Sequence, residues 1–331
     1  MAEKTKKGRI FSGIRPTGRL HLGNYFGALE NWVNLQEDYE CIFGIVDWHA
    51  LTTDYEDPSH VQERVRELAI DFLSAGIDPE KSVMMVQSHV KQHAELHLLL
   101  SMVTPLGWVE RVPTYKEQLR QLEGREIATY GFLGYPVLQA ADIVIYKANA
   151  VPVGEDQLAH VELTREIVRR FNYLYGDTFP EPQALLHKVR LLPGIDGRKM
   201  SKSYGNEIHL GATEEELQER VRMMVTDPQR VRRHDPGDPD VCTVYAFYKI
   251  FGGELQEEIA LDCRKARIGC VACKQRLAES LAQKMAPVRE RRAALEADPA
   301  LITDVLANGA QRARAIAERT MEQVRRAVGL S

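Results

Sequence analysis

Residues 9–24, RIFSGIRPTGRLHLGN, decide how the chain must fold. Residues 9–13 form a short apolar run bounded by turn residues, the pattern of a buried strand. Then comes a glycine-punctuated turn, Pro16-Thr17-Gly18-Arg19-Leu20-His21-Leu22-Gly23-Asn24, which leads into a helical pattern. Gly18 permits a tight turn, and Gly23 lets a flat ring come close to the backbone. His21 and Asn24 place neutral donors at a helix start, where phosphate is already favoured. Taken alone the segment is ambiguous, because strand-to-helix joints are often glycine-rich for packing alone.

Working outward, residues 40–46 (ECIFGIV) and 82–87 (SVMMVQ) read as two more buried strands. Between them Asp57-Pro58 predicts a helix start. Val61, Val65, Leu68, Phe72 and Leu73 repeat at helical spacing, and Gly76 predicts the end. Strand, helix, strand implies a right-handed crossover and a parallel sheet. Ligands in such sheets sit at the carboxyl ends of strands, which here are residues 13–23 and Asp47-Trp48-His49. The fold class is therefore α/β, with a Rossmann-like nucleotide-binding domain over residues 1–205. Beyond that the strand signal fades. Thr213 and Glu216 form a capping box, and helical patterns dominate. Residues 206–310 are expected to be a helical domain. Residues 311–328 are amphipathic, with Arg312, Arg314, Arg319, Arg325 and Arg326 on polar faces. This last helix, within 311–331, is expected to pack back on the first domain. Residues 235–240 (DPGDPD) read as a turn-rich loop.

The 331 residues suffice for about two domains. With 44% hydrophobic and 27% charged residues, wholesale disorder is excluded. A net charge of −4 excludes holding nucleic acid by global attraction, so any polyanion must meet local patches. Five cysteines are too few for a disulfide scaffold and point to a reducing, cytoplasmic setting. The opening MAEKTKKGR is basic, but no long apolar stretch follows, so it does not read as a signal peptide. Residues 127–146 are long and apolar enough to tempt a membrane reading. Gly131, Gly134, Pro136, Gln139 and Asp142 argue instead for the buried wall of a site, and no membrane partner is expected.

The sharpest motif is Lys199-Met200-Ser201-Lys202-Ser203, behind the turn Pro193-Gly194-Ile195-Asp196-Gly197. Two lysines three apart on a mobile loop can close over a polyphosphate, with the serines adding donors. A given five-residue string occurs by chance about once in ten thousand chains of this length. HLGN with KMSKS resembles the paired signatures of class I aminoacyl-tRNA synthetases. IFSGIRPTGRLHLGNYFGAL, DWHALT, YPVLQAADIVIYKANAVPVGEDQ, HVELTREIVRRFN and RKMSKS, in that order and spacing, resemble the tryptophanyl-tRNA synthetases over nearly the whole chain.

The resemblance implies activation of L-tryptophan by ATP with Mg²⁺, transfer to tRNA(Trp), and a homodimer. It implies that His21 and Asn24 touch the ATP phosphates, and that Lys199 and Lys202 stabilise the pentavalent phosphorus and the leaving pyrophosphate. Lys116 falls where the family keeps a phosphate-side lysine, but a second one two residues on is Gln118 here. Arg15, Thr17, Gly23, Gly154, Glu155, Asp156, Met200, Ser201 and Ser203 would border the nucleotide. For the amino acid, Asp142 is the natural acceptor for an indole N–H, standing in a nearly apolar run. Phe11, Val46, His49, Val151 and Val153 would form the slot, and Tyr135 and Gln157 would hold the α-ammonium. Gln139 and Arg15 replace a methionine and a glutamine of some bacterial relatives near the site. A tyrosine-specific relative shares fold and motifs; the YPVLQAAD and GEDQ context favours tryptophan.

Cys242, Cys263, Cys270 and Cys273 cluster, and the tail C-x6-C-x2-C resembles the iron–sulfur motif of a subset of that family. The gap from Cys242 to Cys263 is two residues shorter than in the subset. Four thiolates suit a [4Fe–4S] cluster, with zinc or no metal as the lesser alternatives. Arg232, Arg233, Arg264, Lys265, Arg267, Arg289, Arg291 and Arg292 lie around these cysteines. They and the aromatics Tyr245, Phe247, Tyr248 and Phe251 could serve an anticodon-binding domain, although solvated arginines and a packed aromatic core explain the same pattern. His89, His93 and His97 share a helical spacing, but a polar helix face is the simpler account and no metal is assigned to them.

Overall fold

The structure is a computed structural model that describes residues 5–113, 115, 128–186 and 192–330. Five strands, β1 (Arg9–Ile14), β2 (Glu40–Ile45), β3 (Ser82–Val86), β4 (Ala150–Val153) and β5 (Gln183–Leu186), form one parallel sheet in the order β3-β2-β1-β4-β5. The registers Phe11↔Ile42 and Ile42↔Val83 line three apolar side chains across one face. Their chain neighbours Ile10, Cys41, Phe43 and Met84 turn to the other face, as the two-residue period of a strand requires. Both faces are covered, which is why the runs read as continuously apolar.

The face of Ile10, Phe43 and Met84 packs on helices α3 (Val61–Ala75) and α1 (Glu30–Leu35), with Leu68, Phe72 and Trp32 fully buried. Burying each such side chain contributes about 1.5–3 kcal/mol. Gly76 ends α3 with φ 112°, a left-handed value suited to glycine. The expected start at Pro58 is three residues early. Asp57 accepts instead from the Ser59 amide (3.2 Å) and hydroxyl (2.5 Å), closing a separate turn, and α3 begins at Val61. The face of Phe11, Ile42 and Val83 carries α4 (Gln92–Val103), α5 (Tyr135–Val144) and α6 (Leu158–Tyr175); α2 (Asp47–Asp54) follows β2 directly.

The second half is helical: α7 (Glu214–Met223), α8 (Thr243–Phe251), α9 (Leu255–Arg264), α10 (Cys270–Ala297) and α11 (Pro299–Ala327). Thr213 and Glu216 cap α7 reciprocally, each side chain bonding the other's amide. α11 is longer than the amphipathic stretch read from the sequence, starting at Asp298-Pro299, where the aspartate accepts from the Leu301 amide. It runs along β3, the sheet's edge, and shields its unpaired backbone. Gly309 makes that approach possible, because a methyl there would collide with the Met84 carbonyl. Arg312 adds hydrogen bonds to the Pro79 and Ser82 carbonyls, at 2.6 and 3.2 Å. Among the described residues, no helix is long and apolar enough to cross a membrane.

Candidate active site

The sheet order places β1 between β2 and β4, so connections leave in opposite directions on either side of it. At such a switch point, sheets of this kind form the ligand crevice at the carboxyl ends of the strands. The segment after β1 and the turn Gly154–Gln157 after β4 flank it. Gly18 has φ 103°, so the tight turn expected there does need glycine. His21 caps the helical segment that starts at Leu22: its Nδ1 accepts from the Asn24 amide (3.2 Å), and Asn24 Oδ1 accepts from the His21 amide (3.1 Å). Burial, reinforced by the nearby Lys202 charge, lowers the His21 pKa to about 4, so the ring is neutral at physiological pH. At Gly23 a methyl would press on the His21 ring, 3.0 Å from its Nδ1, and touch Met200 Cβ at 3.5 Å, so a side chain there would crowd the cap.

The lysine loop docks on this turn. Lys202 Nζ donates to the carbonyls of Gly18 (2.8 Å) and Thr17 (3.2 Å). Met200 is buried, with its sulfur 3.4 Å from the Gly23 amide. Asn206 pins the loop from below, bonding Asp196 Oδ1 (2.7 Å), the Lys199 carbonyl (3.1 Å) and the Ser201 amide (2.8 Å). Gly194 must be glycine, because any Cβ would overlap the Asn206 side chain. Lys199 and Ser203 are exposed, as are Arg15, Thr17, Glu155 and Asp156, and Gln157 bonds Asp156 at 3.0 Å.

Behind the crevice, Phe11, Val46, Val151 and Val153 belong to one buried apolar cluster with the helix α5. Phe11 stacks on Tyr146 at 5.6 Å. Asp142, on α5, is buried beside this cluster and accepts four contacts: Gln87 Nε2 at 2.7 and 2.9 Å, His49 Nε2 at 2.8 Å and His93 Nδ1 at 2.6 Å. Burial alone would raise its pKa, but the histidine hydrogen bonds outweigh it and hold the group down at about 2. With Asp142 ionised, both imidazoles must donate to it. His93 can then accept at Nε2 from the Tyr146 hydroxyl, 2.6 Å away, so Tyr146–His93–Asp142 forms a directed chain. Tyr135, with Gln139 half-buried on the same helix, lies 2.9 Å from His160 Nε2 through its hydroxyl.

Gln87, His93 and Tyr146 are the residues that sequence reasoning missed. His93 does not lie on a polar helix face, because it is fully buried against Asp142. Its spacing with His89 and His97 was visible, but the carboxylate it serves is 49 residues away. Lys116 and Gln118 lie outside the described residues. Tyr245, Phe247, Tyr248 and Phe251 are core side chains, which settles that alternative. Arg292 is buried, and Arg289, Arg291, Arg264 and Arg267 bond to Glu214, the Ser74 carbonyl, Asp240 and Asp262.

Among the described residues, no group of three or more histidine, cysteine, aspartate or glutamate side chains is arranged to hold a metal ion. The four clustered thiols nevertheless converge. Burial, with its thiol neighbours Cys242, Cys263 and Cys270, pushes the Cys273 thiol up to about 12. Arg230 Nη1 stands 3.8 Å from Cys263 Sγ and 3.9 Å from Cys270 Sγ.

The model of the class I tRNA synthetases (W and Y) matches residues 3–285. The chain belongs to that family. It is 54% identical to the tryptophan–tRNA ligase of Thermotoga maritima, covering 97% of this chain and 99% of that one. Identity to the tryptophan–tRNA ligase of Aquifex aeolicus is 45%, over 97% of this synthetase and 100% of the relative. The solved tryptophanyl-tRNA synthetase of Campylobacter jejuni, complexed with ADP and tryptophan, superposes with a TM-score of 0.89 at 36% identity. That superposition covers 97% of this chain and 100% of the other.

Proposed function

We propose that the crevice between the segment after β1 and the Asp142 wall is a tryptophan-activating centre. The synthetase activates L-tryptophan with ATP to tryptophanyl-adenylate, releasing pyrophosphate, and transfers the tryptophanyl group to tRNA(Trp). In the first step the amino-acid carboxylate attacks the ATP α-phosphorus, and the bond to the β-phosphate oxygen breaks. Little covalent help is needed, so the protein acts by positioning and by placing cations where charge develops. ATP enters as its Mg²⁺ complex.

The observation that carries this reading is the buried, ionised Asp142, set among apolar side chains and gripped by His49, His93 and Gln87. Its acceptor positions are filled, so an indole N–H would take the place of one of these donors. Phe11, Val46, Val151 and Val153 would close the slot, with Gln139 at its edge, and Tyr135 and Gln157 would meet the α-ammonium. Neutral His21, with Asn24, Arg15, Thr17 and Gly23, would border the nucleotide from one side. Gly154, Glu155 and Asp156 would border it from the other. Lys199, Lys202, Met200, Ser201 and Ser203 would close over the phosphates, and Lys116 would reach them from a segment outside the described residues. Pyrophosphate exchange into ATP, run with tryptophan and tyrosine side by side, tests the reading. Exchange with tryptophan alone is expected, and exchange with tyrosine, or with neither in a sample that binds ATP, would overturn it.

We also propose residues 1–205 as the catalytic unit, with the C-terminal helical stretch 311–331 completing it, and 206–310 as the anticodon-binding unit. The chain is read as a homodimer, which the exposed apolar side chains Leu98, Met102, Leu106 and Tyr130 support. Sedimentation equilibrium at the single-chain mass would remove that reading. We propose, from the chemistry of four thiolates, that Cys242, Cys263, Cys270 and Cys273 hold a [4Fe–4S] cluster. Such a group would supply a rigid anchor for the helices around it. A brown protein, prepared anaerobically from iron-replete cells, should carry about four irons and lose its absorbance near 400 nm on Cys270→Ser. A colourless, iron-free preparation would overturn the assignment.

A further inference from the structure

Asp71, on α3, is a buried carboxylate outside the crevice. One oxygen accepts from the Leu20 amide at 2.7 Å, and the other from Arg292 Nη1 at 2.7 Å. Leu20 stands between Gly18, whose carbonyl holds Lys202, and His21. Its own carbonyl receives the Leu210 amide at 2.8 Å. Arg292 comes from α10, the helix that begins at Cys270. It is almost fully buried and also bonds Glu67 at 2.6 Å, and its Nε pairs with Glu296 at 2.7 Å. The stem of Arg292 passes so close to Gly211 that a methyl there would overlap it. Next to Arg292, Arg291 bonds the Ser74 carbonyl at 2.7 Å. A cavity of about 1030 Å³ opens beside this arm, lined by Arg19, Arg64, Glu67, Arg289 and Glu296.

A buried carboxylate with one oxygen on a loop amide and the other on a guanidinium is a two-ended link of fixed length. Charge-assisted hydrogen bonds of this kind are about twice as strong as neutral ones. Breaking either end leaves a buried partner unsatisfied, so the two ends cannot relax separately. We propose that Asp71 is a positioning residue for amino-acid activation. It ties the loop of His21 and Asn24 to α10 through Arg292, so that the position of the cysteine-bearing helices sets the geometry of the phosphate end of the crevice. The Asp71 charge also favours the charged form of the Lys202 ammonium. The tryptophan wall lies on the opposite face of the sheet and is not touched by it. The inference rests on the activating-centre reading above, which stands or falls on exchange by the unmodified protein.

The experiment is pyrophosphate exchange by Asp71→Asn, Arg292→Lys and the double variant, with kcat and the KM values for ATP and tryptophan measured separately. Misplacing reacting groups by about 1 Å costs up to about 10²-fold. Each single variant is expected to lose about tenfold or more in kcat with the tryptophan KM unchanged. The double variant should lose no more than the worse single one, since both cut one link. Gly211→Ala removes no charge but displaces the arm, and it should reproduce the loss if the buried substitutions fail to fold. Unchanged kcat in folded variants, a matching rise in the tryptophan KM, or additive losses would each overturn the proposal.

Discussion

Asp142→Ala is expected to raise the KM for tryptophan about 10³-fold while leaving ATP affinity within about threefold. The carboxylate is the polar anchor of an otherwise apolar wall, and a site built around such a group rejects what cannot satisfy it. Truncating one partner of a buried, hydrogen-bonded charge costs about 2–5 kcal/mol, which spans this factor. The loss has a second source within the protein. Gln87, His49 and His93 would be left without the acceptor they share, at about 1–3 kcal/mol for each buried donor unsatisfied. Thermal stability should therefore fall with affinity, and Asp142→Asn should recover part of the former. Equal loss of tryptophan and ATP binding would overturn the indole-acceptor role. Because the Asp142 pKa is lowered from 3.8 to about 2, its contribution to stability is present above pH 3.8 and lost only as pH falls through about 2. The tryptophan KM should consequently show no titration of this group between pH 5 and 8.

How much of this could be read from residue order follows from what each feature depends on. β1, β2 and β3 were visible because a strand buried on both faces is an unbroken apolar run, and each was found within a residue of its end. β4 and β5 were not. They are four residues each, β4 meets β1 at a single pair, and β5 is half-exposed, so neither leaves a periodic signal. Asp142 was conspicuous as one charge in an apolar helix, yet its partners were invisible. Gln87, His49 and His93 come from three other segments brought together by strand order. Asp71 reads as one more acid on an amphipathic helix until Arg292, 221 positions away, is seen to meet it. Local chemistry survives in sequence because it depends on neighbours in the chain, whereas burial and pairing depend on the topology.

Lys202→Ala should lower kcat for pyrophosphate exchange about 10²–10³-fold with little change in the KM for tryptophan. The argument starts from what holds the ammonium before any phosphate arrives. Two neutral carbonyls, those of Gly18 and Thr17, accept from it at 2.8 and 3.2 Å, and burial already lowers its pKa below the ordinary lysine value. A phosphate oxygen offers a charge-assisted bond about twice as strong as a carbonyl does, so the side chain is held in place but not satisfied. Charge moves onto the bridging oxygen and the pyrophosphate as the α-phosphorus bond breaks, and an ammonium at that end gains most at that moment. An interaction that strengthens toward the transition state appears in kcat, while one that is equal in substrate and transition state appears in KM alone. Lys199 is exposed and has no such tether in the described structure, so its removal should act through both constants. Lys202→Arg should restore little, since a planar fork cannot reproduce a compact ammonium seated between two carbonyls. A rise in the ATP KM with kcat preserved would show that Lys202 merely binds ATP, and the transition-state role would be lost.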